Sequence, residues 1–368
     1  MKLICNRSAL LEALNVAGNA IATRTPKPAL QCVKLTAAAD KLIVAATDLE
    51  VAIRYLDAQV QVEQQGEALV PLDKLRDIVR ESIDDTLSLE LTSEGMNIKG
   101  QDSHFRIFVQ NPADFPPVPD FEGEPGFEVT ASQLKQLIGQ TLFAVAKEST
   151  RYAFNGVLLS IKNKKLVLVG TDGRRLAHAK GDLASMGKAD VEGAKVIVPQ
   201  KTLQMIEKLL VDGDEKVAVQ IRDNQIIFHT QTATLTSNLV EGQYPPYDDV
   251  IPKDSDRKMT AGTAHLLSAV KRASLLVTED TKGVRFAFGP KGLVLTSRSP
   301  EAGESTINFA CKFEGEAVEI GFNPTFLIEA LKVADSDEVS IEMTLPNRPG
   351  LLRSGSNFQY VIMPVNLQ

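Results

Sequence analysis

The 368-residue chain contains no tryptophan, and five tyrosines and fifteen phenylalanines supply its aromatic rings. A platform for stacking single-stranded bases is therefore poorly supplied. Its three cysteines, Cys5, Cys32 and Cys311, are too few and too scattered for a disulfide framework or a metal cage. The four histidines, His104, His178, His229 and His265, share no metal-ligand spacing and none has a cysteine neighbour. Each reads as a solvated or hydrogen-bonded ring, and neither a metal nor another cofactor is expected. No run of about 18 apolar residues occurs, so no helix spans a bilayer. Residues 1–22 open like a secretory signal, with Lys2 before an apolar stretch. Asn6, Arg7, Glu12 and Asn15 break that stretch into an amphipathic helix instead. A reduced, cytoplasmic protein is expected, in which the sequon at Asn6 has no use. Phosphate loops of the GxxxxGK[ST] or GxGxxG type and a GxSxG elbow are absent, and the acidic Glu279-Asp280 has no second carboxylate cluster. Basic residues are in deficit as well, 40 against 47 acidic for a net charge of −7, whereas nucleic-acid binders carry a basic excess.

What is present is repetition. Hydrophobic content of 43% and charged content of 24% are those of an ordinary globular chain, and the length suits two or three domains. Three landmarks recur in one order about every 125 residues. The first is a short strand leading into an amphipathic helix, at residues 1–14, 127–138 and 258–270. Ser8, Ser132 and Thr263 stand near the three helix starts, where a hydroxyl can cap backbone N–H groups. The second is a strand running into a further helix, with Pro71, Pro199 and Pro324 close to the first turn, where a missing N–H costs nothing. The third is a strand ending in a polar turn, at Thr47-Asp48, Thr171-Asp172 and Ser297-Arg298. Short strands rich in branched residues fill the intervals. Each unit reads as an α+β module of about eight strands and two helices. Proline-rich seams, Phe115-Pro116-Pro117 and Tyr244-Pro245-Pro246, part the units and stiffen their junctions, giving domains 1–120, 127–247 and 248–368.

Charge is segregated along this pattern. Helices are expected at 8–22, 72–82, 131–147, 200–210, 263–277 and 324–334. They hold ten basic residues (Lys74, Arg76, Arg80, Lys135, Lys147, Lys201, Lys208, Lys271, Arg272 and Lys332) against six acidic ones, which leaves −11 for the remainder. Basic helices in an acidic protein suit one DNA-facing surface and repulsion elsewhere, while lysine-rich helix faces are also common on any soluble protein. The spacing of these cations follows no base-reading pattern, so contact would be to phosphates.

Several segments together resemble the bacterial DNA polymerase III β subunits, the sliding clamps. They are Asn111-Pro112-Ala113-Asp114-Phe115, Arg151-Tyr152-Ala153-Phe154-Asn155-Gly156, Thr171-Asp172-Gly173-Arg174-Arg175-Leu176, Val196-Ile197-Val198-Pro199, Leu235–Pro245, Glu319–Asn323 and Tyr360–Pro364. The resemblance spans the whole chain. It implies three tandem clamp domains, each with two helices packed on antiparallel sheets. Two chains would close head to tail into a six-domain ring around duplex DNA. The function implied is that of a non-catalytic processivity factor, loaded by an ATP-dependent clamp loader and holding DNA by topology. Its partners would be double-stranded DNA, the replicative polymerase, the loader and other proteins bearing a clamp-binding peptide.

The resemblance also implies site residues. DNA contacts would come from Arg24, Lys74, Arg76, Arg80, Lys147, Tyr152 and Lys201. Phe105 and Ile107 of one chain would meet Leu275 and Leu276 of the other, although core packing would explain the same residues. The peptide pocket would use Phe154, Thr171, Gly173, Arg174, Arg175, Leu176, Pro245 and Val250. Asn323, Phe326, Pro349, Val361, Ile362, Met363 and Pro364 would complete it. Two pocket features depart from the usual pattern: Phe154 replaces a smaller aliphatic, and the tail Val365-Asn366 replaces methionine and arginine. Ala153 follows Tyr152 where a second aromatic can occur. Two further readings stand beside the clamp: an enzyme centred on Asp172, Arg174 and Arg175, and a purely structural assembly protein.

Overall fold

A computed structural model of the chain describes residues 1–367 apart from 58, 147–151, 188–190, 212 and 279–282. The first third runs β1 (Lys2–Asn6), α1 (Arg7–Ala17), β2 (Cys32–Ala38), β3 (Lys41–Thr47), β4 (Val51–Asp57) and β5 (Val60–Gln64). It continues with β6 (Gly66–Pro71), α2 (Leu72–Glu81), β7 (Thr86–Thr92), β8 (Gly95–Lys99) and β9 (His104–Ile107). The second third begins β10 (Phe127–Thr130), α3 (Ala131–Thr141), β11 (Gly156–Lys162), β12 (Lys165–Thr171), β13 (Arg175–Asp182) and β14 (Ser185–Met186). Next come β15 (Lys195–Pro199), α4 (Gln200–Leu209), β16 (Lys216–Arg222), β17 (Gln225–His229) and β18 (Ala233–Asn238). The last third begins β19 (Arg257–Gly262), α5 (Thr263–Ala273), β20 (Val284–Gly289), β21 (Gly292–Ser299), β22 (Gly303–Phe309) and β23 (Lys312–Glu314). It ends with β24 (Val318–Phe322), α6 (Pro324–Val333), β25 (Glu338–Met343), β26 (Gly350–Ser354) and β27 (Phe358–Ile362). Each third thus repeats one order: strand, helix, five strands, helix, three strands. The count is nine strands per third among the described residues, where the sequence suggested eight.

Local chemistry sets the helices. In α2 Leu72, Leu75 and Val79 are buried at helical spacing, and in α1 Leu10, Ala13, Leu14 and Ala17 are. Pro71 precedes α2 and Pro324 opens α6, as expected. The cap of α1 is Asn6 rather than Ser8, its Oδ1 accepting from the Ala9 N–H at 3.0 Å, which gives the idle sequon residue a structural task. The Ser132 and Thr263 hydroxyls instead donate to the carbonyls of Gly213 and Ser336 at 2.6 Å, tying helix starts to neighbouring loops. Three helices end four or more residues earlier than expected, the others one residue earlier. α1 stops at Ala17, before Gly18. α3 ends at Thr141, where φ is −127° and the hydroxyl bonds back to the Leu137 carbonyl at 2.8 Å; a 3₁₀ turn, Leu142–Ala144, follows. α5 ends at Ala273, because Leu275 and Val277 bond three residues back in a tighter turn.

The chain forms two compact units. The first comprises Met1–Ser132, Ala184–Val191 and Gln204–Leu239, with a five-stranded sheet, β5-β1-β7-β8-β9, and a nine-stranded sheet, β14-β10-β16-β17-β18-β4-β3-β2-β6. The second comprises Gln133–Leu183, Glu192–Leu203 and Val240–Gln368, with a nine-stranded sheet, β15-β11-β12-β13-β27-β26-β25-β19-β23, and a four-stranded one, β22-β21-β20-β24. Each nine-stranded sheet joins two thirds of the chain. In the first, β18 pairs antiparallel with β4, Thr236 opposite Ala52; in the second, β27 pairs with β13, Val361 opposite Leu176. These seams occupy the same place in the repeat. Thr236 and Val361 face Ile227 and Leu351 on the inner side, as Arg106 faces Asn97 in β9. Ala52 and Leu176 face Thr47 and Thr171, each six residues beyond a two-residue hairpin turn at Lys41 and Lys165. The same count from Gly292 reaches Arg298, which faces Glu304 in β22. The third polar turn is therefore one residue out from the Ser297 alignment, since β21 runs on to Ser299.

The first two polar turns share one hydrogen-bond pattern. Asp172 Oδ1 accepts the N–H groups of Arg174 and Arg175 at 2.9 and 3.1 Å, and Asp48 Oδ1 those of Glu50 and Val51 at 3.0 and 2.8 Å. Thr171 and Thr47 donate to the Arg175 and Val51 carbonyls at 2.6 and 2.9 Å. The residue between must turn left-handed, Gly173 at φ +85° and Leu49 at φ +80°. Leucine is strained there by about 1–2 kcal/mol. Because Leu49 is half exposed, Leu49→Gly is expected to raise stability by about 0.5–1 kcal/mol after the entropy of glycine is subtracted. A chemical-denaturation midpoint checks this, and an unchanged or lower midpoint would refute the strain.

Candidate peptide pocket, DNA-facing helices and sheet edges

The residues expected to bind peptide gather around the β13–β27 seam of the second unit. Arg175 is at the centre, opposite Ile362 and 9% exposed. Its Nε donates to Asp172 Oδ2 at 3.1 Å, its Nη2 to the Phe143 carbonyl at 2.6 Å and its Nη1 to Glu329. The guanidinium also lies over the rings of Phe326, at 4.3 Å, and Phe143, at 5.4 Å. Burial opposes its charge, but the neighbouring Tyr360 hydroxyl and Glu329 carboxylate outweigh burial and hold its pKa above the ordinary value. Arg175 therefore braces the pocket from behind, whereas Arg174 beside it is exposed.

The turn and the strand ends bring the other residues together. Met363 donates its N–H to the Arg174 carbonyl at 3.0 Å and is 40% exposed, while Val361 and Ile362 are buried. Phe154 is buried, 3.7 Å from where a Gly173 Cβ would stand, and meets Tyr244 edge-on with ring centres 6.4 Å apart. Tyr244 donates to the Val169 carbonyl at 3.0 Å, and burial raises its pKa. Tyr244, Tyr247 and Ile251 pack on the cluster holding Leu176 and Val361, which carries half-buried Pro245 and exposed Val250 alongside. Asn323 caps α6 through the Thr325 N–H at 3.0 Å, one turn from Phe326. Pro349 is half-buried just before β26. Of these residues Gly173, Arg174, Val250 and Met363 are exposed, whereas Phe154, Leu176 and Val361 are buried. Sequence reasoning missed Glu329 and Phe143, whose only link to Arg175 is spatial. Asp172 spends both oxygens on the turn, and no group of side chains able to hold a metal occurs among the described residues.

The expected DNA contacts are more dispersed. Arg24 and Lys74 are exposed, and Lys201 is half-buried at the start of α4. Arg76 pairs with Asp73 at 2.9 Å and Arg80 with Asp77 at 2.9 Å and Glu81 at 3.0 Å, so α2 is neutral overall. Lys147 lies outside the described residues, and of Tyr152 only the backbone, in a 3₁₀ turn, is described. With the observed helix limits Arg7 replaces Lys147 and the net helix charge is unchanged. Of the four interface residues none belongs to the core: Phe105 is 42% and Leu275 77% exposed, and Ile107 and Leu276 are half-buried.

Family models of the DNA polymerase III β subunit match in succession: the N-terminal domain over residues 1–119, the central domain over 128–246 and the C-terminal domain over 248–366. The β sliding clamp of Pseudomonas putida is 32% identical, with both chains covered in full. The chain belongs to the DNA polymerase III β-subunit family, the β sliding clamps. The Escherichia coli K12 clamp is 30% identical over the whole of both chains. The crystal structure of the Pseudomonas aeruginosa subunit superposes with a TM-score of 0.92 at 30% identity, also over both full chains. The chain is accordingly a triplicated clamp fold whose family forms head-to-tail ring dimers, a non-catalytic processivity factor of DNA replication. The crowded surroundings of Arg175 hold the turn after β12, α6 and the Phe143 segment together. Arg175→Met would leave Asp172 and Glu329 without their cation and is expected to cost about 2–3 kcal/mol, a value reduced because Glu329 is 37% exposed. Thermal unfolding of the variant measures this, and a loss below about 0.5 kcal/mol would remove Arg175 as the brace.

Proposed function

We propose that this clamp encircles duplex DNA in the cytoplasm, with domains at 1–120, 127–247 and 248–368, and tethers proteins through the pocket around Met363 and Arg174. The observation that carries this reading is the threefold element order with two seams of matching register, which leaves β9 and β22 as the two strands lacking the neighbour their equivalents have. Phe105 on β9 and Leu275 beyond α5 are exposed, and Ile107 and Leu276 beside them half-buried, apolar groups of the kind that a second copy would cover. Arg24, Lys74 and Lys201, with Lys147 and Tyr152, would meet phosphates without reading bases, while Arg76 and Arg80 contribute less because carboxylates already hold them. An apolar peptide anchor would sit against Phe154, Leu176 and Val361, with its backbone along exposed Met363 and half-buried Pro364. The −11 outside the helices keeps DNA from adhering elsewhere.

Leu275→Asp combined with Leu276→Asp should yield folded monomers that no longer extend the product length of the cognate polymerase. Static DNA binding by the parent should fall steeply with salt and show no sequence preference. Variants that remain dimeric and processive, or salt-independent binding, would overturn the reading.

A further inference from the structure

The middle third of the chain differs from the other two in one patch of charge. We infer that the sheet face carrying Lys162, Lys164, Lys180 and Lys195 holds the acidic flank of a partner segment whose apolar anchor occupies the proposed peptide site, an inference that rests on the pocket reading above. Pairing registers place these lysines together. Lys195 is opposite Ser160, Ser160 opposite Val167 and Val167 opposite Lys180, one row across β15, β11, β12 and β13. At about 4.8 Å between strands that row is about 14 Å wide. The next row on the same face sets Lys162 opposite Lys165, and Lys164 stands in the turn between them. Lys162, Lys164 and Lys195 are exposed and Lys180 is half-buried. Two carboxylates are at hand. Asp182 pairs with Lys165 at 2.7 Å, and Glu192 accepts the N–H groups of Asn163 and Lys164 at 2.7 and 3.4 Å. No carboxylate pairs with the Lys162, Lys164, Lys180 or Lys195 ammonium groups among the described residues.

The repeat supplies its own control. At the positions of Lys162, Lys180 and Lys195 the first third has Ala38, Leu56 and Glu67, and the last third has Gly289, Asn308 and Glu319. The fold therefore needs no lysine there, and the third that has them is the one whose turn presents Arg174. The patch is also continuous with the site. Lys180 lies four residues beyond Leu176 on the same face of β13, about 13 Å away. Between them the linker crosses the sheet, the Tyr247 ring lying against His178 with ring centres 5.9 Å apart. An extended segment anchored in the pocket covers that distance in about four residues. Carboxylates at that point would meet lysines in solvent, an arrangement that governs partner choice more than affinity. Nucleic acid suits the face less. A phosphate chain running past Tyr247 would meet exposed Asp248 and Asp249, whereas a peptide need be acidic at one end alone.

Fluorescein-labelled peptides test this by anisotropy. They share a leucine–phenylalanine anchor and carry four glutamates, four glutamines or four lysines, starting four residues before or after it. With the full-length chain at about 50 mM salt, the glutamate flank in one of the two positions is expected to bind about fivefold tighter than glutamine. At about 0.5 M salt the two should converge. In Lys162→Glu combined with Lys195→Glu the order should invert, the lysine flank binding tighter than the glutamate one. Both side chains are exposed, and circular dichroism should show this variant folded. Lys41→Glu combined with Lys291→Glu makes the same charge change at the hairpins of the other two thirds and should keep the glutamate preference. Flanks that bind alike on an anchor that binds would overturn the inference and leave the pocket standing. A glutamate preference that survives in the Lys162 and Lys195 variant would refute the assigned lysines. Binding of an oligothymidylate of about ten nucleotides, lost in that variant while the peptide flanks bind alike, would give the face to nucleic acid instead. An anchor that binds with no flank at all would bring down the pocket reading and the inference with it.

Discussion

An unpaired sheet edge exposes a row of backbone donors and acceptors, and this molecule is organised by how those edges are covered. Each nine-stranded sheet exists because β4 and β13, ending hairpins in one third of the chain, accept β18 and β27, the last strands of the next. A backbone ladder of this kind is indifferent to side-chain identity, which explains how Thr236 and Ala52 at one seam can be replaced by Val361 and Leu176 at the other. It is not indifferent to register, because a slip of one residue exchanges the two faces of the sheet. Pro245 and Pro246 stiffen the segment that leads away from the first seam.

The site proposed for a peptide is a consequence of the second seam. Joining β27 to β13 places the end of one strand beside the start of the other, so the turn at Asp172, the exit at Met363 and the linker at Tyr244 converge without any loop dedicated to the purpose. The first seam has the same turn but lacks the same chemistry. There Val51 replaces Arg175, and Thr236, Ser237 and Asn238 replace Val361, Ile362 and Met363. Polar groups and a strained Leu49 make that surface a poor seat for an apolar anchor. A handful of side chains therefore separates two copies of one architecture, with Arg175 and its carboxylates holding the second in shape.

Much of this was legible in the residues. The triplication, the prolines at helix starts, the polar turns and the excess of basic helix residues all follow from patterns with a local cause. The misses have causes that are not local. Thr141 ends α3 through its own hydroxyl and backbone angle, so the helix never reaches Lys147. Asn6, which as a sequon has no use, caps α1 in place of Ser8 because its Oδ1 reaches the Ala9 N–H. The third turn drifted by one residue because β21 extends further than its counterparts, a fact visible only in the pairing. Glu329 and Phe143 could not be linked to Arg175 from sequence, because contacts between distant segments leave no periodic trace. α2 carries three carboxylates against three cations, and which of them pair, Asp73 with Arg76 and Asp77 with Arg80, is visible only in the structure.

The most direct measurement is negative-stain microscopy of the purified full-length chain at micromolar concentration, with class averages. The account predicts a closed ring with an open centre and a pseudo-sixfold outline, since three repeats per chain and two chains per particle must bring β9 and β22 together twice. A compact particle without a hole, unchanged as concentration rises, would contradict it.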